Sequence, residues 1–378
     1  MRASDPVIAL GKLRPASGVL AGASSLLLAA LLPSLPSLAE LYARSIGPAA
    51  GWTLARLSGV TSLALSELLM CGFALGVLLR GAWALRCARR SRRGRRWILG
   101  HGLLTTLNVA GWVVASFMWS WGFNYSRAPL EDRWALPEAN PARLEEITTL
   151  LVDLANEYYF TLHGSEDAGS MSVVADRSAL DVALTNAYAR LSTDMNLGTS
   201  VGWRRGPAKT PRISPLMNRL GLSGFYFPWS GEANVNGEIP AIAYSHAVAH
   251  EKAHQRGYAP EDEANFMAIL AGASAEQPLA QYSAILFAQR QLLRNLLRAD
   301  PDAGQALLER RYRGVQRDVD ELQEFWRRYR GRATEWAEHS NDLYLRAHRV
   351  EGGIHSYAGS AELLLRFAAT AEEFPPRP

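Results

Sequence analysis

Cysteine is scarce in this chain and missing from most of it. Only Cys71 and Cys87 occur among the 378 residues, and both precede residue 125. The rest of the chain therefore has no disulfide framework, and its cysteine usage assigns it to no compartment.

A broad basic surface is missing as well. Lys and Arg number 40 against 36 Asp and Glu, and the net charge of +4 comes largely from an arginine cluster between Arg80 and Arg96. Nucleic-acid binding needs basic side chains spread along a folded face. We therefore exclude nucleic acid as a partner.

Apolar residues, in contrast, are in excess near the N-terminus. Hydrophobic residues make up 48% of the chain, and most of the excess lies before residue 125. Three apolar stretches occur there, at about 18–38, 57–79 and 97–123. Each approaches the ~20 residues that a membrane-spanning helix needs. The pattern predicts a transmembrane region at 1–125 and a second domain at 126–378. The first stretch could instead be a signal peptide ending near 37–39, which would leave the topology unchanged.

The basic loop at about 80–96 predicts an orientation. The positive-inside rule places this loop in the cytoplasm, and Arg2, Lys12 and Arg14 place the N-terminus on the same side. Three crossings then put everything after Tyr125 on the outer side. Aromatic residues near the end of the third stretch fit the belt found at a membrane–water interface. They are Trp119, Trp121, Phe123 and Tyr125.

An HExxH motif stands in the second domain, with His250, Glu251 and His254 as its defining residues. On a helix, two histidines four residues apart project from one face and can bind the same zinc ion. Glu251 can then act as general base on a water held by that ion. The motif predicts Zn²⁺ as the cofactor and Glu251 as a catalytic residue.

A carboxylate on the following helix is the predicted third ligand. Gly257 is suited to end the first helix, and Pro260 is suited to begin the second. In a tight antiparallel pair of helices, residues equidistant from the turn lie level with one another. His254 is then level with about Glu261, which we predict to bind the metal.

Three further residues are assigned around this site. Asn265 would lie level with His250 and hydrogen-bond the far nitrogen of that ring. Glu263 is the alternative to Glu261 as third ligand, because the sequence leaves the turn geometry open. His246, one turn before His250, is predicted to have a hydrogen-bonding or packing role.

Two short strands are predicted at 224–227 and 232–236, joined by a turn around 229–231. The free edge of such a hairpin can pair with an extended peptide and hold it over the metal. The alternative is an ordinary core hairpin. The residues that we assign to substrate binding on the first interpretation are Phe225, Tyr226, Phe227, Asn234 and Asn236.

The segment HEKAHQRGYAPEDEANF resembles the gluzincin class of zinc metallopeptidases. In that class HExxH precedes a helix with an E-x-x-x-D/N pair, which Glu261 and Asn265 match. The resemblance implies that the two histidines and Glu261 hold zinc and that Glu251 is the base. Together with the three apolar stretches, it predicts a mainly α fold, in which a three-helix transmembrane region precedes an α+β, zincin-like (minimal gluzincin) domain. That domain would contain a small sheet and C-terminal helices.

Nearly the whole chain also resembles a family of bacterial membrane proteins of uncharacterised function. The resemblance implies a bacterial membrane protein with a metallopeptidase-like fold and no established substrate. With the orientation predicted above, this gives a multi-pass protein of the bacterial cytoplasmic (inner) membrane, with a cytoplasmic N-terminus and an extracytoplasmic or periplasmic second domain. The matching segments are 121–125, 224–228, 231–236, the HExxH segment and 352–357.

These observations predict a membrane-anchored zinc peptidase that hydrolyses peptide or protein substrates on the outer side of the membrane. Zinc would polarise the scissile carbonyl, and Glu251 would move a proton from water to the leaving amine. Tyr357, His355 and His348 are candidates for stabilising the oxyanion. Two alternatives stay open. One is a non-catalytic scaffold or binding protein with a structural or vestigial metal site, and the other is a hydrolase of a non-peptide cell-envelope amide.

Overall fold

Helices dominate the computed structural model, which describes residues 17–90, 95–170, 174–347, 359–371 and 374–376. About 74% of the structure is helical, and a two-stranded sheet accompanies the helices among the described residues. The prediction of a mainly helical protein with a small sheet is therefore confirmed.

Five α-helices of the described residues form the N-terminal part. They are α1 (Ser17–Leu31), α2 (Pro36–Arg44), α3 (Ile46–Ser58), α4 (Leu65–Arg90) and α5 (Arg95–Ser120). Within the described residues, three segments are long and apolar enough to cross a membrane, as predicted. These are Ser17–Ser34, Leu65–Arg86 and Gly102–Ser120.

Small residues bring α1 and α5 together. The Gly18 N–H donates to Asn108 Oδ1 at 2.7 Å. A Cβ on Gly22 would lie only 2.7 Å from the Cα of Gly111, so the two backbones approach closely at glycines on both helices. Such small-residue contacts are typical of helix pairs in lipid.

The second apolar helix starts later than the predicted 57–79, and this boundary is corrected. Residues up to Ser58 belong to α3, and α4 begins only at Leu65. A buried lysine stabilises the break, because Lys209 Nζ donates to the carbonyl oxygens of Ser58 (2.8 Å) and Leu63 (2.7 Å). The carbonyl groups that a continuous helix would have paired internally are satisfied from elsewhere.

The C-terminal part is built around α10 (Ala241–Gln255), α11 (Glu261–Ala273) and α12 (Pro278–Ala299). Helix α11 is buried all round, since every residue from Phe266 to Ala271 has an exposed fraction of 0%. A helix that is apolar on every side belongs in the centre of a domain. The surrounding helices are α6 (Leu130–Arg133), α7 (Leu144–His163), α8 (Arg177–Asp194), α9 (Ser214–Leu220), α13 (Pro301–Arg310), α14 (Arg313–Tyr329), α15 (Arg332–Ala347) and α16 (Gly359–Ala368).

The predicted hairpin is present, with β1 (Gly224–Phe227) antiparallel to β2 (Glu232–Val235). The outer edge of β2 pairs with the backbone of Lys209. The Lys209 N–H donates to Ala233 O (2.8 Å), and the Lys209 carbonyl oxygen accepts from the Val235 N–H (2.7 Å). Ala233 and Val235 therefore direct their N–H and C=O groups away from β1. In an antiparallel pair, the residues directly opposite them direct their own N–H and C=O groups away from the partner strand, here β2. The backbone groups of Gly224 and Tyr226 thus form the outer edge of β1, and no described segment pairs with them there.

A buried ion pair joins this hairpin to the start of α4. Lys209 Nζ lies 2.5 Å from Glu232 Oε1, and the two side chains are 2% and 1% exposed. The Glu232 carboxylate also accepts from the N–H groups of Leu65 (3.0 Å) and Ser66 (2.7 Å), so it caps the N-terminus of α4. A carboxylate is favourable there because the helix dipole is positive at that end.

Replacing Glu232 by glutamine is expected to lower the free energy of unfolding by roughly 3–5 kcal/mol, because it leaves the Lys209 charge buried without its counter-ion. Chemical denaturation of the full chain in detergent micelles measures the change. Asp153→Asn, which removes an exposed partner of Arg310, is the matched control and should cost less than about 1 kcal/mol. Equal losses in the two variants would contradict the structural role of the buried pair.

Candidate metal centre

The HExxH motif lies on α10, and a tight turn returns the chain along it as α11. The turn depends on Gly257, whose φ of +91° is unfavourable for other residues. A Cβ at this glycine would also lie 3.2 Å from Asn124 Oδ1, just beyond the end of α5. Helix α11 then begins at Glu261 after Pro260.

Three metal-binding side chains meet between these helices. His250 Nε2 lies 3.1 Å from Glu261 Oε2, and His254 Nε2 lies 3.7 Å from the same oxygen. Ligand atoms of the three residues all lie within 4.8 Å of one another. Ligands about 2.0–2.1 Å from a tetrahedral zinc are separated by about 3.3 Å, so the spacing fits that ion. The structure thus brings together the three residues predicted as ligands.

Hydrogen bonding orients one of the two rings toward the cluster. His254 Nδ1 lies 2.7 Å from Tyr258 O and donates to it, which leaves Nε2 free as a ligand. The Nδ1 atom of His250 is buried without a partner in the described chain. The two rings meet edge to face, with centroids 4.6 Å apart.

The charges in the cluster favour a cation. Burial raises the pKa of the Glu261 carboxyl, but the neighbouring imidazoles outweigh burial and hold this pKa far below its usual range. Burial lowers the pKa of His254, yet the Glu261 carboxylate raises it to about 9. The three groups therefore stabilise a positive charge between them, which a divalent ion would supply in place of a proton.

Glu251 lies beside this cluster in a buried position. Its Oε2 atom has no hydrogen-bond partner among the described residues, and its exposed fraction is 3%. Burial raises the pKa of this carboxyl to about 7, against the lowering effect of His250 and His254. On its other side the carboxylate approaches β1, where a Cβ on Gly224 would lie 2.6 Å from Oε1. Sequence reasoning did not assign Gly224 to the site.

The two other residues assigned on α11 have partners outside the metal cluster, and Asn265 differs from expectation. Glu263, the alternative ligand, forms an ion pair with Arg133 instead. Asn265 does not form the predicted hydrogen bond with His250. Its Oδ1 atom lies 3.4 Å from His246 Nε2 instead, and His250 Nδ1 has no partner among the described residues. The reason is register: Glu261 lies between the two motif histidines, so Asn265, one turn further along α11, is level with His246. His246 also stacks on Phe287 with centroids 3.5 Å apart.

Two of the predicted substrate-binding residues are used within the fold, and we no longer assign them to substrate. Asn234 and Asn236 both have an exposed fraction of 0%. Asn234 Oδ1 accepts from Ser66 Oγ at 2.8 Å. Asn236 Nδ2 donates to Asn218 Oδ1 at 2.6 Å and to Leu222 O at 3.1 Å.

The three aromatic residues of β1 keep partial exposure. The Tyr226 ring contacts Trp121 with centroids 5.6 Å apart, and Phe227 contacts Trp229 at 5.2 Å. Phe225, which precedes both residues along the strand, remains a candidate for substrate contact. The predicted oxyanion candidates His348, His355 and Tyr357 lie outside the described residues.

Trp121 belongs to the site, although its place in the sequence indicated an interfacial aromatic belt. Its Nε1–H donates to His254 O at 3.0 Å, and the centroids of the Trp121 and His254 rings are 5.8 Å apart. Trp121 is 7% exposed and Phe123 is 1% exposed, so both pack inside the protein. Trp119, at 47% exposure, keeps the outward position that a belt requires, and Tyr125 is half-buried. The belt prediction is corrected for the two buried residues.

Fold and site together define a mainly helical protein, with helices apolar enough to cross a membrane and a candidate metal centre of two histidines and a glutamate. The chain belongs to the family described as "Protein of unknown function (DUF3810)", whose model matches residues 42–365. The prediction of an uncharacterised family is therefore confirmed. No curated protein and no solved structure matches the chain. The family match includes the hairpin, the metal-centre residues and two of the three apolar helices.

Proposed function

We propose that this protein is a membrane-anchored zinc peptidase. The observation that carries the proposal is one buried cluster in which His250, His254 and Glu261 converge, with the Glu251 carboxylate beside them. A purely structural metal site has no use for a carboxylate oxygen that is buried without a partner. Catalysis gives that oxygen a role as proton acceptor.

The donor set fits zinc. Two imidazole nitrogens and one carboxylate oxygen are typical of catalytic zinc sites, which keep a fourth position open. When bound, zinc would polarise the substrate carbonyl and lower the pKa of a water molecule. The position of Glu261 on the helix that follows HExxH supports a zincin-like domain of the gluzincin type.

Glu251 would move the proton that hydrolysis requires. As the water oxygen bonds to the carbonyl carbon, the carboxylate accepts a proton from the water. It then delivers that proton to the amide nitrogen as the C–N bond breaks, so the products are a carboxylic acid and an amine. The unpartnered Oε2 is the acceptor that the geometry favours.

The open edge of β1 offers a place for the substrate backbone. An extended peptide can pair with the N–H and C=O groups of Gly224 and Tyr226, as peptides add to sheet edges in other proteins. This edge begins beside Glu251, because Gly224 contacts that carboxylate. A peptide bound along the strand would therefore pass the proposed general base.

The arginine cluster at the end of α4 and the start of α5 supports an orientation in the bacterial cytoplasmic membrane. Placed in the cytoplasm by the positive-inside rule, this cluster puts the start of α4 and the end of α5 on the outer side. The metal centre contacts that end of α5 through Trp121. We therefore propose an extracytoplasmic site.

The full chain, purified in detergent micelles, tests the proposal through its metal content and its action on a quenched peptide library. We expect about one zinc per chain, hydrolysis of library peptides, loss of activity on chelation and recovery with added zinc. Zinc without hydrolysis would favour the scaffold alternative. Hydrolysis of cell-envelope amides without hydrolysis of peptides would favour the other alternative.

Replacing Gly224 by alanine is expected to lower kcat/KM by about 100-fold, the cost of a misplacement of about 1 Å in a catalytic group. The new Cβ would lie 2.6 Å from Glu251 Oε1 and 2.8 Å from Asn234 O, so the carboxylate must shift. Steady-state kinetics and zinc content measure the effect, and zinc should remain bound. Gly169→Ala, where a Cβ meets nothing within 4 Å, is the matched control. An unchanged rate in Gly224→Ala would contradict this placement of the base.

A further inference from the structure

The geometry points to a substrate class for the proposed peptidase: membrane-anchored peptides cut a few residues from the bilayer. This inference rests on the proposed function, including the proposed insertion of the apolar helices in the membrane. It adds that β1 extends from the general base to the outer ends of these helices.

The turn of the hairpin is attached to the end of α5. Trp229 Nε1–H donates to Ser116 Oγ at 2.9 Å, and the ring centroids of Trp229 and Phe117 are 6.0 Å apart. Ser116 lies within the apolar segment Gly102–Ser120, four residues before its end. The turn therefore reaches the depth at which the third apolar helix leaves the proposed membrane.

The other strand of the hairpin is attached to the start of α4. Glu232 binds the first two backbone N–H groups of that helix, and Ser66 Oγ donates to Asn234 Oδ1. Helices α4 and α5 therefore meet the hairpin at the same end of the apolar part. A bilayer around the two helices would end next to the hairpin.

Exposed apolar side chains continue this boundary between α3 and α4. Leu57, Val60 and Leu63 are 65%, 86% and 52% exposed. They belong to the segment whose carbonyl groups bind Lys209, so they lie close to β2. A cluster of exposed apolar residues that continues from apolar helix ends is a lipid-contact surface.

The strand has a direction relative to this surface. At one end Gly224 contacts Glu251, and at the other end Phe227 packs on Trp229. Three residue steps of about 3.3 Å separate the two ends, so the general base lies about 10 Å along the strand from the turn. A peptide paired with β1 then has one end at the base and the other at the membrane surface. An anchor at that second end raises its effective concentration at the site.

The test uses the full chain in liposomes with one cleavable sequence taken from the peptide library. This sequence is joined to a transmembrane helix by flexible linkers of about 2, 4, 8 and 16 residues, or left without an anchor. We expect kcat/KM to be greatest near about 4 residues and to fall at least about tenfold for the longest linker and for the free peptide. Equal kcat/KM values for the anchored and free substrates would overturn the inference. If Glu251→Gln also abolished cleavage of all of them, the proposed function would still stand.

A second measurement does not depend on catalysis. A nitroxide at Val60, in a full chain with Cys71→Ser and Cys87→Ser, should be more accessible to dissolved oxygen than to a water-soluble nickel chelate. Phe160, 49% exposed on α7, is the matched position and should show the reverse. A label at Val60 that is as accessible to the chelate as the one at Phe160 would also overturn the inference. If neither free nor anchored peptides are cleaved, the proposed function fails and the inference fails with it.

Discussion

Replacing Glu251 by glutamine is expected to lower kcat for peptide hydrolysis by at least about 10²–10⁴-fold while zinc stays bound. Glutamine has nearly the same shape as glutamate, but its amide cannot accept a proton from water at neutral pH. The three predicted ligands are unchanged. Kinetics on a library peptide and the metal content of the same sample measure both parts of the result.

A matched change on the same helix separates chemistry from folding. Ser245 is 1% exposed on α10, and its hydroxyl has no partner among the described residues, so Ser245→Ala should keep both stability and rate. Thermal unfolding should show that Glu251→Gln is folded. Full activity in that variant would remove Glu251 from the mechanism and, with it, the main support for a peptidase.

The apolar helices could be predicted from composition, but the start of the second could not. Leu57, Val60 and Leu63 are apolar and the residues between them are uncharged, so the stretch extends the pattern of α4 toward the N-terminus. The break is stabilised by Lys209, about 150 positions later in the chain. The local sequence around the break therefore carries no information about its hydrogen-bond partner.

The core of the site could be predicted because its spacing is local. Histidines four residues apart on one helix, followed by a glycine turn, restrict the third ligand to the start of the next helix. The surroundings depend on tertiary contacts and could not be predicted in the same way. Asn265 meets His246 because of the helix register, and the amide of Asn234 is used by Ser66. Trp121 looked interfacial because it follows an apolar stretch, although it donates to the backbone of His254.

Two glutamates on one turn of α11 allow the metal assignment to be tested with a built-in control. Glu261→Gln is expected to weaken zinc binding by more than about 100-fold, beyond the 10–100-fold that loss of an outer partner costs. The loss should be large because the carboxylate is the only anionic group placed between the two histidines in the described structure. Competition with a chromophoric chelator measures the affinity, and hydrolysis should fall with it.

Glu263→Gln should give the opposite pair of results. Its carboxylate is 5% exposed and forms an ion pair with Arg133, which is 11% exposed, so the change leaves a buried guanidinium without its counter-ion. We expect a loss of roughly 3–5 kcal/mol in the free energy of unfolding, with zinc affinity unchanged. Glu261→Gln should lose metal with a much smaller change in the stability of the metal-free protein. If Glu263→Gln lost the metal and Glu261→Gln retained it, the third ligand would be Glu263 and α11 would be turned differently against α10.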